Sequence, residues 1–291
     1  MPDVLIAGCG YVGERLARVL RGDVRCLTGS SASADRLRSL DIDAVACNLD
    51  TGLPPAEVGE APLAYYMIPP PRESASDDRL RRWLGTLRSS PQRIVYLSTT
   101  AVYGDSGGAE VDEATPPAPT QPRGRARLDA EEALMEHARG RGSEWVILRV
   151  PGIYGPGRLP LDRIARRLPM LRETEAGPGN RIHVTDLVQA CLVAGSKPEA
   201  AGRIYNVGDG DHSSTTIYLR TVARLAGLPE PPEVERAEAE KVLPPMAWSF
   251  LADSRRVSTR RMREELGVIP RFHRLEDGIR EALSSEPMKK A

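Results

Sequence analysis

Two stretches of this 291-residue chain carry residue types whose spacing could do chemistry. Near the N-terminus, Gly8, Gly10 and Gly13 stand in the order G-x-G-x-x-G and enclose Tyr11 and Val12. The loop follows the apolar run Val4-Leu5-Ile6-Ala7 and opens a helical pattern from Val12 to Leu20. The first glycine permits a tight turn and the second lets the backbone approach a pyrophosphate. The third allows close helix packing, and the helix N-terminus favours an anion. In this strand-to-helix context the spacing predicts a dinucleotide site. The second stretch, "TQPRGRARLDAEEAL" (120–134), puts Arg123, Arg125 and Arg127 on alternate positions ahead of a helix. It reads as a basic patch, as a solvated helix start or as an altered catalytic site.

Which dinucleotide the loop would take depends on the end of the next strand, where a carboxylate would bind the ribose 2′-hydroxyl of NAD. There the chain reads "CLTGSSASADR", with Thr28, Ser30 and Ser31 in place of an acid. Nothing in that stretch repels a 2′-phosphate, and the hydroxyls, or Arg36 further on, could bind one. NADP is therefore expected over NAD. The competing reading makes these hydroxyls caps of the following helix.

The elements that must position these residues alternate. Strand-like runs occur at Val24 to Thr28, Asp43 to Ala46, Leu63 to Ile68, Ile94 to Leu97 and Trp145 to Leu148. Helical stretches run around Asp35 to Leu40 and through Leu80, Trp83, Leu84 and Leu87, which share one apolar stripe. Such alternation predicts an α/β fold, a doubly wound (Rossmann) parallel sheet covered on both faces. "EATPPAPTQP" (113–122) interrupts the pattern and reads as a loop. A helix at Thr185 to Ala194 and a strand at Arg203 to Val207 complete the sheet, and the residues beyond about 210 form a helix-rich cap. The expected division is a dinucleotide-binding domain, 1–155 plus about 182–208, and a small substrate-side cap, about 156–181 and 209–291.

Bulk properties exclude several functions. Lys+Arg and Asp+Glu are equal at 40 each, so no net field attracts nucleic acid or an anionic membrane. Lysine is confined to Lys197, Lys241, Lys289 and Lys290, so arginine is the default cation and a single arginine says little. Asp129, Glu131 and Glu132 follow the arginine run at once, and aromatics make up only 4% of the chain, too few for a base-stacking platform. No apolar run nears the roughly 18 residues of a membrane span. Cys9, Cys26, Cys47 and Cys191 lack C-x-x-C spacing and read as free thiols, which fits a cytoplasmic protein. No cluster has metal-ligand spacing.

Several stretches together resemble the extended short-chain dehydrogenase/reductases, specifically the NAD-dependent epimerase/dehydratase family, over nearly the whole chain. They are "IVYLSTTAVYGD" (94–105), "DEATPPAP", "LRVPGIYGPGR" (148–158), "RIHVTDLVQA" (181–190), "GRIYNVGDG" (202–210) and "ADSRRVSTRRMREELGVIP" (252–270). The resemblance implies a positioning hydroxyl at Thr99, with Asn48 and Leu49 beside the adenine. Ile68, Pro69 and Pro70 of "YMIPPP" would lie beneath the nicotinamide ribose, and Pro151 and Ile153 on the substrate side of the cofactor. It also implies a small-molecule substrate of the nucleotide-sugar kind, no nucleic-acid or membrane partner, and a homodimer.

The same resemblance exposes a departure. Members of this family transfer a hydroxyl proton through a Tyr-x-x-x-Lys pair on the helix after the Pro-rich loop. Here Arg123 stands in the tyrosine position and Arg127 in the lysine position. No tyrosine lies between Tyr103 and Tyr154 and no lysine precedes Lys197, so a shift of the alignment does not restore the pair. Arginine stays charged and cannot exchange the proton, although it can hold a ribose or clamp an anion. Tyr103 is the weak candidate for a replacement acid, followed by Tyr65, Tyr66, Tyr154, His183, Asp112 and Glu113. The expected function is an oxidoreductase or epimerase with non-standard acid/base residues; the alternative is a catalytically inactive dinucleotide sensor.

Overall fold

The computed structural model describes residues 2–55, 58, 61–71, 74–244, 248 and 251–285. In chain order the elements are β1 (Val4–Ala7), α1 (Tyr11–Ala17), β2 (Val24–Thr28), α2 (Ser31–Arg38), β3 (Ala44–Ala46), β4 (Leu63–Tyr66), α3 (Asp78–Thr86) and β5 (Arg93–Thr99). A 3₁₀ turn at Thr100–Tyr103 precedes β6 (Glu110–Val111), α4 (Pro122–Arg141), β7 (Glu144–Val150), β8 (Gly152–Tyr154), α5 (Leu161–Ala165) and β9 (Met170–Leu171). Then come β10 (Arg181–His183), α6 (Val184–Ser196), β11 (Arg203–Asn206), α7 (Thr215–Leu225), β12 (Glu233–Val234), α8 (Arg236–Val242), β13 (Arg256–Val257) and α9 (Leu275–Ser284).

Seven strands form one parallel sheet in the order β3-β2-β1-β4-β5-β7-β11. The chain winds one way from β1 to β3 and the other from β4 to β11, so the direction reverses between β1 and β4. In an open parallel sheet a crevice opens at that point, beyond the carboxyl ends of the strands. Alternate side chains of β1 enter the two cores. Val4 and Ile6 join Leu16, Leu187 and Cys191 on the α1/α6 side, and Leu5 and Ala7 join Leu80, Trp83 and Leu134 on the α3/α4 side. Burial on both faces explains why β1 reads as an unbroken apolar run. A smaller C-terminal lobe has its own core, where Tyr154, Ile164, Leu219, Val222, Leu275 and Ile279 meet.

The structure adjusts three local expectations. The fourth strand ends at Tyr66 and not at Ile68, because Pro69, Pro70 and Pro71 have no N–H with which to extend a ladder. Pro122, read as the end of a loop, is the first residue of α4; its fixed φ suits that position and its missing N–H would have had no helical partner. Helix α1 stops at Ala17, before Leu20. Among the described residues three further short strand pairings, β8 with β10, β9 with β12 and β6 with β13, fasten the connecting segments. At two or three residues each, they are too short to show a periodicity.

Candidate functional site

A cavity of about 550 Å³ lies beyond the carboxyl ends of β1, β2, β4, β5 and β7, within the usual range for a small-molecule site. Its floor is the glycine loop, with Gly8, Gly10, Tyr11, Val12 and Gly13 all lining it. Gly8 has a φ of 97°, and a side chain there would come within 2.7 Å of the Ile68 backbone nitrogen. Only glycine fits that turn. At Gly10 a side chain would meet nothing within 4 Å, so the backbone there faces open space. The fit to a pyrophosphate rests on that opening.

At the far end of the loop wall, Thr28 and Gly29 line the cavity, whereas Ser30, Ser31 and Arg36 do not. The Ser30 hydroxyl caps α2 by accepting from Ser33 N at 3.2 Å. Ser31 is the first residue of that helix, and Arg36 pairs with Glu14 of α1 at 2.9 Å. The capping reading therefore holds for Ser30, and Thr28 is the hydroxyl of this stretch that lines the cavity.

Asn48, Leu49, Ile68 and Pro69 line the adjoining wall, but Pro70 turns away from it. Three residues that local sequence does not single out complete that wall: Cys47, Asp50 and Arg79. Arg79 forks onto Asp50 with contacts of 2.6 and 2.5 Å and sends its other nitrogen to the Pro69 carbonyl at 2.9 Å. The guanidinium holds the Asp50 carboxyl below the usual carboxylate range. Arg82, one turn on, donates to the Leu49 carbonyl. Helix α3 thus fastens the 48–50 loop and the proline run, a link across 29 residues of sequence.

At the opposite end, Thr99, Arg127, Pro151 and Ile153 line the cavity as expected, together with Ser98 and Arg158. Thr99 accepts from the Ala101 N–H at 3.2 Å, which starts the 3₁₀ turn. Arg127 donates to the Leu97 carbonyl at 2.7 Å and to the Tyr96 hydroxyl at 3.0 Å, so it is held against the end of β5. Beneath it, the Ser98 hydroxyl donates to Glu131, whose carboxylate takes a two-point contact from Arg149 at 2.7 and 3.1 Å. Arg158 extends over the Tyr11 ring at 4.4 Å, and the Tyr11 hydroxyl donates to the Pro156 carbonyl at 2.9 Å. Those contacts join the glycine loop to the turn after β8.

None of the candidate replacement acids lines the cavity. Tyr103 is buried, donates to Asn206 at 2.8 Å and lies under the Arg149 guanidinium; burial raises its pKa. Tyr65 donates to the Cys191 carbonyl inside the core, and Tyr66 stacks near Trp83. Tyr154 belongs to the small lobe's core. His183 caps α6 and faces Glu281 at 2.9 Å. Asp112 closes a turn with Thr115, and Glu113 accepts from the Asn206 N–H. Arg123 lies outside the cavity lining, one helical turn from Arg127.

Comparisons with known proteins agree with this architecture. The family model described as "NAD dependent epimerase/dehydratase family" matches residues 79–208. "Protein YeeZ" of Escherichia coli (strain K12) is 29% identical over 246 residues, covering 80% of this chain and 86% of its own length. A UDP-glucose 4-epimerase of Azospirillum brasilense is 28% identical, covering 98% of this chain and 83% of its own. Among solved structures, a functionally unknown conserved protein from Silicibacter pomeroyi DSS superposes with a TM-score of 0.83 at 29% identity, covering 98% and 99% of the two chains.

Proposed function

We propose that this chain is a member of the NAD-dependent epimerase/dehydratase family, whose model matches residues 79–208, and that it binds NADP(H) in its cavity and transfers hydride to or from a small hydroxyl or carbonyl substrate. The observation that carries the reading is the cavity wall. The glycine loop opens onto free space at Gly10, and the lining supplies three guanidiniums, Arg79, Arg127 and Arg158, against one carboxylate, Asp50. That surplus of positive charge suits a dinucleotide pyrophosphate. The preference for NADP rests on the end of β2, where Thr28 and Gly29 face the cavity and no carboxylate stands beside them.

When bound, the cofactor supplies hydride transfer at the nicotinamide. The chain's own residues supply position and charge. Thr99 presents a hydroxyl at the end of β5. Arg127, fixed by Leu97 and Tyr96, supplies the positive charge that a lysine would bring to the ribose. Pro151 and Ile153 close the substrate side with apolar surface and limit water there. None of the candidate replacement acids lines this end, so the proton is exchanged with a group on the substrate or with water.

The test begins with binding of NADPH and NADH by nicotinamide fluorescence. Nucleotide sugars, aldehydes, ketones and keto acids are then screened for loss of nicotinamide absorbance. Turnover that falls in Thr99→Ala, with cofactor affinity unchanged, supports the reading. Tight binding with no turnover across the panel refutes the enzymatic part, and failure to bind either dinucleotide refutes the whole.

A further inference from the structure

The turn that follows β8 is tied to the glycine loop. Residues 155–158 form a type II turn, in which the Arg158 N–H donates to the Gly155 carbonyl at 3.0 Å. Pro156 takes the second position and Gly157, at a φ of 76°, the third. The Tyr11 hydroxyl donates to the Pro156 carbonyl at 2.9 Å. A side chain at Gly155 would come within 2.9 Å of that hydroxyl and 2.8 Å of Val184, so the turn packs directly on its neighbours. Arg158 ends the turn, lays its guanidinium over the Tyr11 ring at 4.4 Å and lines the cavity. Arg15 also covers that ring, at 3.9 Å, but it donates to the Tyr11 carbonyl and does not line the cavity.

The three guanidiniums of the cavity wall differ in what already holds them. Arg79 gives its nitrogens to Asp50 and the Pro69 carbonyl. Arg127 donates to the Leu97 carbonyl and the Tyr96 hydroxyl. Arg158 is held by a ring face; among the described residues no carboxylate or carbonyl accepts from its side chain. Its planar fork of donors therefore remains for an anion. Position decides which anion. The ring beneath Arg158 belongs to the residue after Gly10, where the backbone opens onto free space. The turn reaches that residue from the β7 side of β1, whereas Thr28 and Gly29 stand on the β2 side. Gly8 to Gly13 contains no cationic side chain of its own.

We propose that Arg158 clamps the pyrophosphate of the dinucleotide against the glycine loop, with Tyr11 holding the guanidinium in place. The inference rests on the dinucleotide-binding reading and names the residue that supplies the charge there. An arginine fork meets two phosphate oxygens at once. A guanidinium already stacked on a ring has less freedom to lose when the anion arrives. Tyr11 acts through Arg158, so it is a positioning residue: its ring carries the guanidinium and its hydroxyl holds the turn.

NADPH and NADH are titrated by nicotinamide fluorescence into the wild-type protein, Arg158→Gln and Arg158→Lys, with melting temperature as the control for folding. Arg158→Gln should weaken both dinucleotides equally, by about tenfold or more, because the pyrophosphate is common to them. Arg158→Lys, which keeps the charge and loses the fork, should fall between. Tyr11→Phe should weaken binding in the wild-type background and have no further effect beside Arg158→Gln. Unchanged affinity in Arg158→Gln would overturn the proposal. So would a loss confined to NADPH, which would give the arginine to the 2′-phosphate, or a Tyr11→Phe effect that is absent or that persists without Arg158. These titrations read binding alone, so a protein that binds but turns nothing over leaves the clamp standing. Where the wild-type protein binds neither dinucleotide, inorganic pyrophosphate is the probe, read as a rise in melting temperature. A rise that Arg158→Gln removes keeps the clamp while the hydride-transfer reading falls; no rise, or one that survives the substitution, overturns the clamp as well.

Discussion

The buried pair that supports the end of β5 gives the most discriminating test of the site's framework. The side chains of Glu131 and Arg149 are 1% and 3% exposed, and the Ser98 hydroxyl completes the cluster. Breaking such a pair from one side costs about 3–5 kcal/mol, because the other charge stays buried. For 291 residues the unfolding entropy is on the order of 0.6 kcal/mol/K, so the loss corresponds to a fall of about 5–8 °C in melting temperature. The two single substitutions, Glu131→Gln and Arg149→Met, should each lose about that much, because each leaves the other member of the pair buried without its partner. Urea midpoints would measure both. Replacing all three groups, Ser98→Ala with Glu131→Leu and Arg149→Met, should restore much of the loss. The reasoning fails if Glu131→Gln costs less than about 1 kcal/mol, or if the triple replacement is no more stable than the singles.

Three further outcomes are expected. Gly8→Ala should abolish dinucleotide binding, because the new methyl would meet the Ile68 backbone at a φ of 97°; equilibrium binding of NADPH with a circular dichroism control checks it. Arg79→Ala should free the 48–50 loop and weaken NADPH binding by about tenfold, with little change in melting temperature because the Asp50 pair is partly exposed. Burial raises the Asp209 carboxyl from the ordinary range to about 7, so wild-type stability should decline as pH rises from about 4 to about 7. Asp209→Asn should remove that decline and be the more stable protein at pH 8, as urea midpoints at pH 5 and 8 would show.

Much of the frame is visible in the chain itself, because it depends on neighbours in sequence. The unbroken run Val4–Ala7, the glycine spacing behind it and the stripe through Leu80, Trp83 and Leu84 each follow from backbone geometry within one element. Capping is similarly local. Ser30 closes α2 and leaves only Thr28 facing the cavity. The proline run was legible as a stop, but not the residue at which β4 ends.

The cavity's charges were less accessible. Asp50 and Arg79 are 29 residues apart and meet only because α3 crosses back over the loop after β3. Arg158 reaches Tyr11 across more than half the chain. Tyr103, plausible as an acid from its place beside Thr99, is withdrawn because the 3₁₀ turn points it at Asn206 and Arg149. By itself the sequence determined the parallel α/β frame, the glycine loop and the absence of any tyrosine or lysine from α4, since each is a matter of local spacing or of which residues are present at all. The tertiary structure decided which arginines face the cavity and which of them meets a carboxylate there. Those contacts are made by crossover connections that bring distant residues together, and no spacing along the chain encodes them.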